Sequence, residues 1–158
     1  MSRPADRGVH LHLEHFLPHR LSVLTNTVSA ALAAEYSERF NLSIPEWRVM
    51  AVLAHAPGLS AADVAARTAM DKVAISRAVA GLLAAGRLRR RPAAGDRRRL
   101  ALELSRAGRQ VYGQIVPWAL DYERRLLAAL SSGGAAALDD ALSTLIEQAR
   151  ALRKTTAP

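Results

Sequence analysis

Cysteine is absent from this chain, so disulfides, thiolate metal sites and cysteine-based peroxide sensing are excluded. Aromatic residues make up only 4% of it, and the segment richest in positive charge has none, so a base-stacking platform for single-stranded RNA lacks its material. No run of about 18 apolar residues exists, so no membrane-spanning helix is expected. The first residues, MSRPADRGVHLHLEHFLPHR, lack the uninterrupted apolar stretch of a signal peptide, and a cytoplasmic location follows as the expectation. Walker, G-x-G-x-x-G, H-E-x-x-H and G-x-S-x-G patterns are all missing, which argues against an enzyme and against a resident cofactor. A Ser-His-Asp set assembled in space would leave no such trace, but it would also leave the charge distribution unexplained. Lysine is nearly missing too: arginine supplies all but two of the 22 basic residues.

What is present is half apolar, rich in alanine and leucine, and therefore helix-prone. At 158 residues it is long enough for one domain with a real core. The formal charge is +8, and it is not spread evenly. Between Arg87 and Arg109 lie nine arginines and two acidic residues, a local charge of +7. Charge gathered this tightly is the footprint of a polyanion partner. Double-stranded DNA is the expected one, and an architectural or RNA-binding protein is the rival reading.

Along the chain, Leu17, Leu21, Leu24, Val28, Leu32 and Tyr36 recur at spacings of three and four, which predicts a long helix ending near Asn41. Ser43-Ile44-Pro45-Glu46 reads as a capping box opening a second helix, with Leu42 and Trp47 at the staple positions. That helix stops before Pro57-Gly58. Ser60 and Asp63 repeat the grammar for a short helix from Ala61 to about Arg67, with Leu59 and Val64 as its staple. After a three-residue turn, Asp71 caps a further helix to Ala85, and Gly86 is the expected left-handed stop.

The period then falls from 3.6 to 2. Leu100, Leu102 and Leu104 read as the inward face of a strand, with Ala101 and Glu103 outward. Leu88 and Arg90 mark its partner, Pro92 implies an edge position, and Pro92 to Asp96 form the connecting loop. Ser105 caps a long helix to about Leu130. Pro117 inside it should kink it, with Gly113 four residues earlier relieving the ring. Ser131 to Gly134 break the chain before a last helix striped by Leu138, Leu142, Leu145, Ala149 and Leu152. The expected fold is mainly α with a small β-wing: a winged helix-turn-helix lobe over 43–104. Dimerisation helices over 10–42 and 105–154 flank it within a single domain, 1–158.

Three stretches together resemble the MarR family of multiple-antibiotic-resistance-type regulators. They are Leu59-Ser60-AADVA-Ala66, Asp71-KVAISRAVAGLLAA-Gly86-RLRRR, and Asp96-Arg97-Arg98-RLALELS-Arg106-Ala107-Gly108. The last is similar to the family's wing signature. The resemblance covers roughly residues 17–150 and implies a homodimeric repressor that binds DNA and a small effector.

A helix entering the major groove offers its first two turns to base edges. Lys72, Val73, Ser76 and Arg77 are the expected readers, with Ala74 near a thymine methyl. Arg77 suits a bidentate contact to guanine O6 and N7. In the wing, Arg98 matches the arginine that the family sends into the minor groove, with Asp96 positioning it. Arg97 and Arg99 are alternatives, because three consecutive arginines leave the reader ambiguous. Arg89 and Arg91 are assigned to phosphates, and Ser60 both to its cap and to a phosphate at that helix start. For an effector, His19, Arg20, Trp47 and Arg48 would offer an aromatic wall and a guanidinium, suited to an aromatic carboxylate. His10, His12, His15 and His19 with Glu14 raise the alternative of a metal-responsive regulator. Solvated histidines are the plainer reading, and no metal site is assigned.

Overall fold

Four helices in this chain begin where a side-chain oxygen, of Ser43, Ser60, Asp71 or Ser105, satisfies a first-turn amide, and two end where Asn41 or Gly86 turns left-handed. The computed structural model describes residues 10–68, 70–93 and 96–155, with 93 and 96–99 described by their backbone alone. After a single 3-10 turn at Leu13–His15, α1 spans Leu17–Phe40 and ends at Asn41, whose φ is 47°. α2 covers Ile44–His55. Ser43 Oγ accepts from the Glu46 amide at 3.4 Å while the Glu46 carboxylate accepts from the Ser43 amide at 2.8 Å, the reciprocal box that the sequence predicts. α3, Ala61–Thr68, starts with the same exchange between Ser60 and Asp63, at 3.2 and 3.0 Å. α4, Lys72–Ala84, follows Asp71, whose carboxylate accepts from the Ala74 amide at 2.8 Å.

The stop after α4 is a Schellman turn. Gly86 has φ 67°, its amide donates to Leu83 O, and the Arg87 amide donates to Leu82 O at 2.8 Å. That turn feeds directly into β1, Leu88–Ala93, which pairs antiparallel with β2, Asp96–Leu104. Leu88 faces Leu104, Arg89 faces Glu103, and Arg91 faces Ala101. The strands reach further toward the tip than the sequence suggests. Pro92 is not loop but lies opposite Leu100, and the register slips just beyond it, where the missing amide ends regular pairing.

Two side chains of β2 depart from strict alternation. Leu100, expected inward, is 53% exposed, because the ribbon at that height has no core beneath it. Ala101, expected outward, is buried on the face that carries Arg89, Arg91 and Glu103, where a lone methyl is readily covered by long neighbours. Leu59, a staple residue by its sequence position, also forms a bridge to Leu102. Leu102 donates to Leu59 O at 2.8 Å and Gly58 donates to Leu102 O at 2.9 Å. The hairpin is thereby tied to the segment between α2 and α3.

The chain divides into two units, Met1–Ile115 and Val116–Pro158. Among the described residues, every buried hydrophobic side chain belongs to the first, including Tyr36, Val49, Met50, Leu53, Ile75 and Leu82. Gly81 lets α4 approach α2, since a Cβ there would stand 2.6 Å from Glu46 Oε1. α5, Arg106–Leu127, opens with Ser105 Oγ accepting from the Gly108 amide at 3.0 Å, and stops slightly short of the expected Leu130. It is continuous through Pro117, and nothing outside the helix constrains Gly113, leaving accommodation of the proline ring as the reason for glycine there. In the second unit, Trp118 and Tyr122 stack at 5.8 Å, and α6, Gly134–Thr155, buries no residue. Leu138, Leu142, Leu145, Ile146 and Leu152 remain exposed along it.

Candidate DNA interface

The turn between α3 and α4 places one helix start in the open. Ile75, Ala78, Val79 and Leu82 are buried, which fixes the rotation of α4 about its axis. Lys72, Val73, Ser76 and Arg77 consequently share the exposed face, while Ala74 is half-buried. Val73 at 59% exposure is a large apolar side chain with no intramolecular reason to be there. All five residues expected to meet bases thus lie in the first two turns of a helix anchored on its opposite side. Ser60 is half-buried, and its hydroxyl donates to Asp63 Oδ2 at 2.6 Å as well as accepting the cap, so its proton is committed within the fold.

The arginines of the basic segment separate into distinct roles. Arg87 Nη2 donates to Phe40 O at 2.5 Å and Nη1 to Asn41 O at 3.3 Å, capping the C-terminus of α1. Arg109 Nη1 donates to Leu104 O at 2.7 Å, fastening α5 to the end of β2. Arg89 and Arg91 both approach Glu103 Oε1 with their Nε atoms, at 2.7 and 2.5 Å. Arg90 and Arg106 are exposed. Asp96, Arg97, Arg98 and Arg99 lie on β2 by their backbone, and their side chains fall outside the described residues. By sequence the segment is one charge cloud; in the structure two of its arginines hold backbone carbonyls instead. Sequence offers a weak signal for this, since Arg87 and Arg109 stand next to a helix stop and a helix start.

The four residues expected to meet an effector are not gathered into one place. His19 and Arg20 line a hollow of about 430 Å³ together with Glu14, Val23, Leu24 and Thr27. Trp47 is instead held between Tyr36, at 5.4 Å, and Tyr112, which stacks on it at 5.5 Å and an interplanar angle of 21°. Arg48 is half-buried on α2. A second hollow, of about 490 Å³, lies among Leu53, Ala54, Pro57, Glu103, Leu104, Arg109 and Tyr112. Tyr112 there contacts His55 Nε2 through its hydroxyl at 3.2 Å. No group of three histidine, cysteine or acidic side chains among the described residues is arranged to hold a metal. No described helix is long and apolar enough to cross a membrane.

Tyr36 carries a large titration effect. Burial disfavours its phenolate and pushes its pKa up to about 12 from 10.0. The folded state therefore prefers protonated Tyr36, and the associated stability is complete below pH 10 and is lost as pH rises from about 10 to about 12. Denaturant unfolding of the wild type and Tyr36→Phe across that window should show a steeper alkaline fall in the wild type. Parallel curves would contradict the assignment.

Residues 40–99, which run from the end of α1 into β2 and hold α3, α4 and the hairpin tip, match the model of the MarR family. That segment of the chain is similar to the MarR family in sequence. It is similar in fold to a MarR/EmrR family transcriptional regulator from Acinetobacter sp. ADP1, with a TM-score of 0.82 at 22% identity over 89% of this chain and 99% of that one. It also resembles a MarR family transcriptional regulator from Silicibacter pomeroyi DSS-3, at TM-score 0.74 and 27% identity over 87% and 98% of the two chains. A third likeness is FabT of Streptococcus pneumoniae, solved in complex with DNA, at TM-score 0.72 and 20% identity over 86% and 96%. Comparison with curated proteins gave no match. The matched segment and these likenesses give this chain the winged-helix fold of MarR family transcriptional regulators.

Proposed function

We propose that this chain is a MarR-family transcriptional regulator, a homodimeric repressor that grips a pseudo-palindromic operator and is released by a small acidic effector. The observation that carries the reading is the exposed face of α4, where Lys72, Val73, Ser76 and Arg77 stand together above a buried side that cannot rotate. In this reading Arg77 reads a guanine, and Lys72, Val73, Ala74 and Ser76 complete the base contacts. Arg98 enters the minor groove with Asp96 holding it, Arg97 and Arg99 being its alternates, while Arg89 and Arg91 meet phosphates. The Ser60 hydroxyl stays in its cap, so a phosphate there would be met by backbone amides at the start of α3.

Two copies are needed because one helix and one wing bury little surface. Support for pairing comes from apolar residues that the chain itself leaves uncovered: Leu17, Leu21 and Leu24 on α1, and Leu138, Leu142, Leu145 and Leu152 on α6. Each is already about half covered, so burying the remainder contributes on the order of 1 kcal/mol apiece, and two copies of such faces together favour association. The hollow beside His19 and Arg20 suits an aromatic carboxylate, whose anion would pair with the guanidinium over the apolar wall of Val23 and Leu24. Such a ligand would shift the balance toward a spacing of the two lobes that misfits the operator.

Titration of the full chain with a duplex from the region upstream of its own gene, and with a scrambled duplex, tests this. Affinity for the first should exceed the second by a factor of about 10³ or more. Equal affinity would leave an architectural DNA binder. A thermal-shift screen of aromatic acids should raise the melting temperature of the wild type and not of Arg20→Ala; no shift across the screen would remove the effector from the proposal.

A further inference from the structure

Among the described side chains of the wing, Glu103 meets the positive cluster at close range, with two arginines beside a single oxygen. Arg89 Nε and Arg91 Nε lie 2.7 and 2.5 Å from Glu103 Oε1, a buried oxygen with no aligned hydrogen-bond donor among the described residues, so the contact is charge pairing rather than a directed hydrogen bond. Arg89 is its direct cross-strand partner, and Arg91 stands two residues further along the same strand face, opposite Ala101. The carboxylate is only 21% exposed, whereas the two arginine side chains are 44% and 57% exposed. A shielded anion with two solvent-facing cations is poorly placed to bind a partner itself. It is well placed to hold the cations in position and to cancel half of their charge.

We infer that Glu103 is a specificity-setting brake on the wing: it withholds Arg89 and Arg91 from indiscriminate phosphate contact, so that non-specific DNA binding stays weak. Electrostatic attraction to phosphate supplies essentially all of non-specific affinity, and each neutralised phosphate adds about 0.9 to the slope of log affinity against log salt. The pair with Glu103 carries a net charge of +1 where two free arginines would carry +2. On operator DNA, base contacts from α4 fix the register, and the duplex backbone can compete for the two guanidinium groups. On other sequences that register is not enforced, and the pairing with Glu103 prevails. The inference rests on the proposed placement of the wing against the duplex.

The test uses the full-length protein, an operator duplex and a scrambled duplex, over a fourfold range of salt. Glu103→Gln keeps the shape and removes the charge. It should tighten binding to scrambled DNA and steepen the salt slope by about 0.9 for each additional phosphate that an arginine neutralises, which is roughly a further threefold loss of affinity per phosphate across the fourfold salt range. Operator affinity should rise less, so the ratio of specific to non-specific binding falls. Adding Arg89→Ala and Arg91→Ala to Glu103→Gln should abolish the tightening. Glu103→Thr, also uncharged and well suited to a strand, should reproduce the effect and guards against a folding defect peculiar to glutamine. Unchanged scrambled-DNA affinity in both variants, or tighter binding that persists without the two arginines, would overturn the inference. If Arg89→Ala and Arg91→Ala leave the wild-type protein's DNA binding unaffected, the wing placement itself is what fails, and the brake falls with it.

Discussion

Replacing Arg77 with alanine is expected to weaken operator binding by about 1–3 kcal/mol per half-site, and so by roughly twice that for a dimer on both halves. The expectation follows from geometry. Arg77 lies on the first two turns of α4, and burial of Ile75, Ala78 and Val79 holds that face outward. A guanidinium so presented reads guanine with two parallel hydrogen bonds, which alanine cannot replace. Arg77→Lys should recover only part of the loss, because an ammonium supplies the charge without the fork. Fluorescence anisotropy with operator and scrambled duplexes separates the possibilities. A loss confined to the operator marks a base contact, whereas equal losses on both duplexes would reduce Arg77 to a phosphate contact.

Gly108→Ala should cost about 1–3 kcal/mol or more of folding stability, which corresponds to about 2–4 °C in melting temperature per kcal/mol for a chain of this size. A Cβ at Gly108 would stand 2.0 Å from Arg87 O and 3.0 Å from the Arg87 carbonyl carbon. That carbonyl cannot step aside cheaply. It accepts from the Ser105 amide at 2.9 Å, and the side chain of the same residue is fastened to Phe40 O and Asn41 O. Relief of the clash would move the start of β1 away from α5 and loosen the root of the wing. DNA affinity should fall along with stability. Gly81→Ala is the milder control, since the opposing atom there is the side-chain oxygen Glu46 Oε1. Displacing it weakens the cap on α2, at about 1 kcal/mol. Calorimetric melting of both variants checks the order, and an unchanged melting temperature for Gly108→Ala would refute it.

Much of this architecture can be read from local chemistry. Ser43 with Glu46, Ser60 with Asp63, Asp71 alone, and Gly86 each announce a helix boundary within a few residues, and each boundary is where the sequence places it. The wing is visible because a period of 2 replaces one of 3.6. What local pattern does not show depends on residues distant in sequence. Arg87 finds carbonyls 46 and 47 positions away, Tyr112 meets His55 57 positions away, and Leu59 bridges to Leu102. Glu103 looks like an outward strand residue, and nothing in its spacing reveals that two arginines share one of its oxygens. The exchange of Leu100 and Ala101 has a similar cause. Alternation says which face a side chain takes, but not where the core beneath that face ends.

The face of α4 is the most legible part of the candidate site, since one helical period and one capping aspartate suffice to place it. The effector residues are the least legible. Aromatic and basic side chains suggest a shared pocket, yet Trp47 packs on Tyr36 and Tyr112 while His19 and Arg20 line a hollow elsewhere on α1. Composition identifies what a pocket could be made of, and only packing decides which of those side chains remain available.

Hydroxyl-radical footprinting of the full chain on the region upstream of its own gene tests the central claim most directly. Two protected patches on one side of the duplex, centred one helical turn or about 34–36 Å apart and lost together in Arg77→Ala, are the expected result. Uniform protection without phase, or a footprint that survives Arg77→Ala unchanged, would contradict a pair of recognition helices reading the operator.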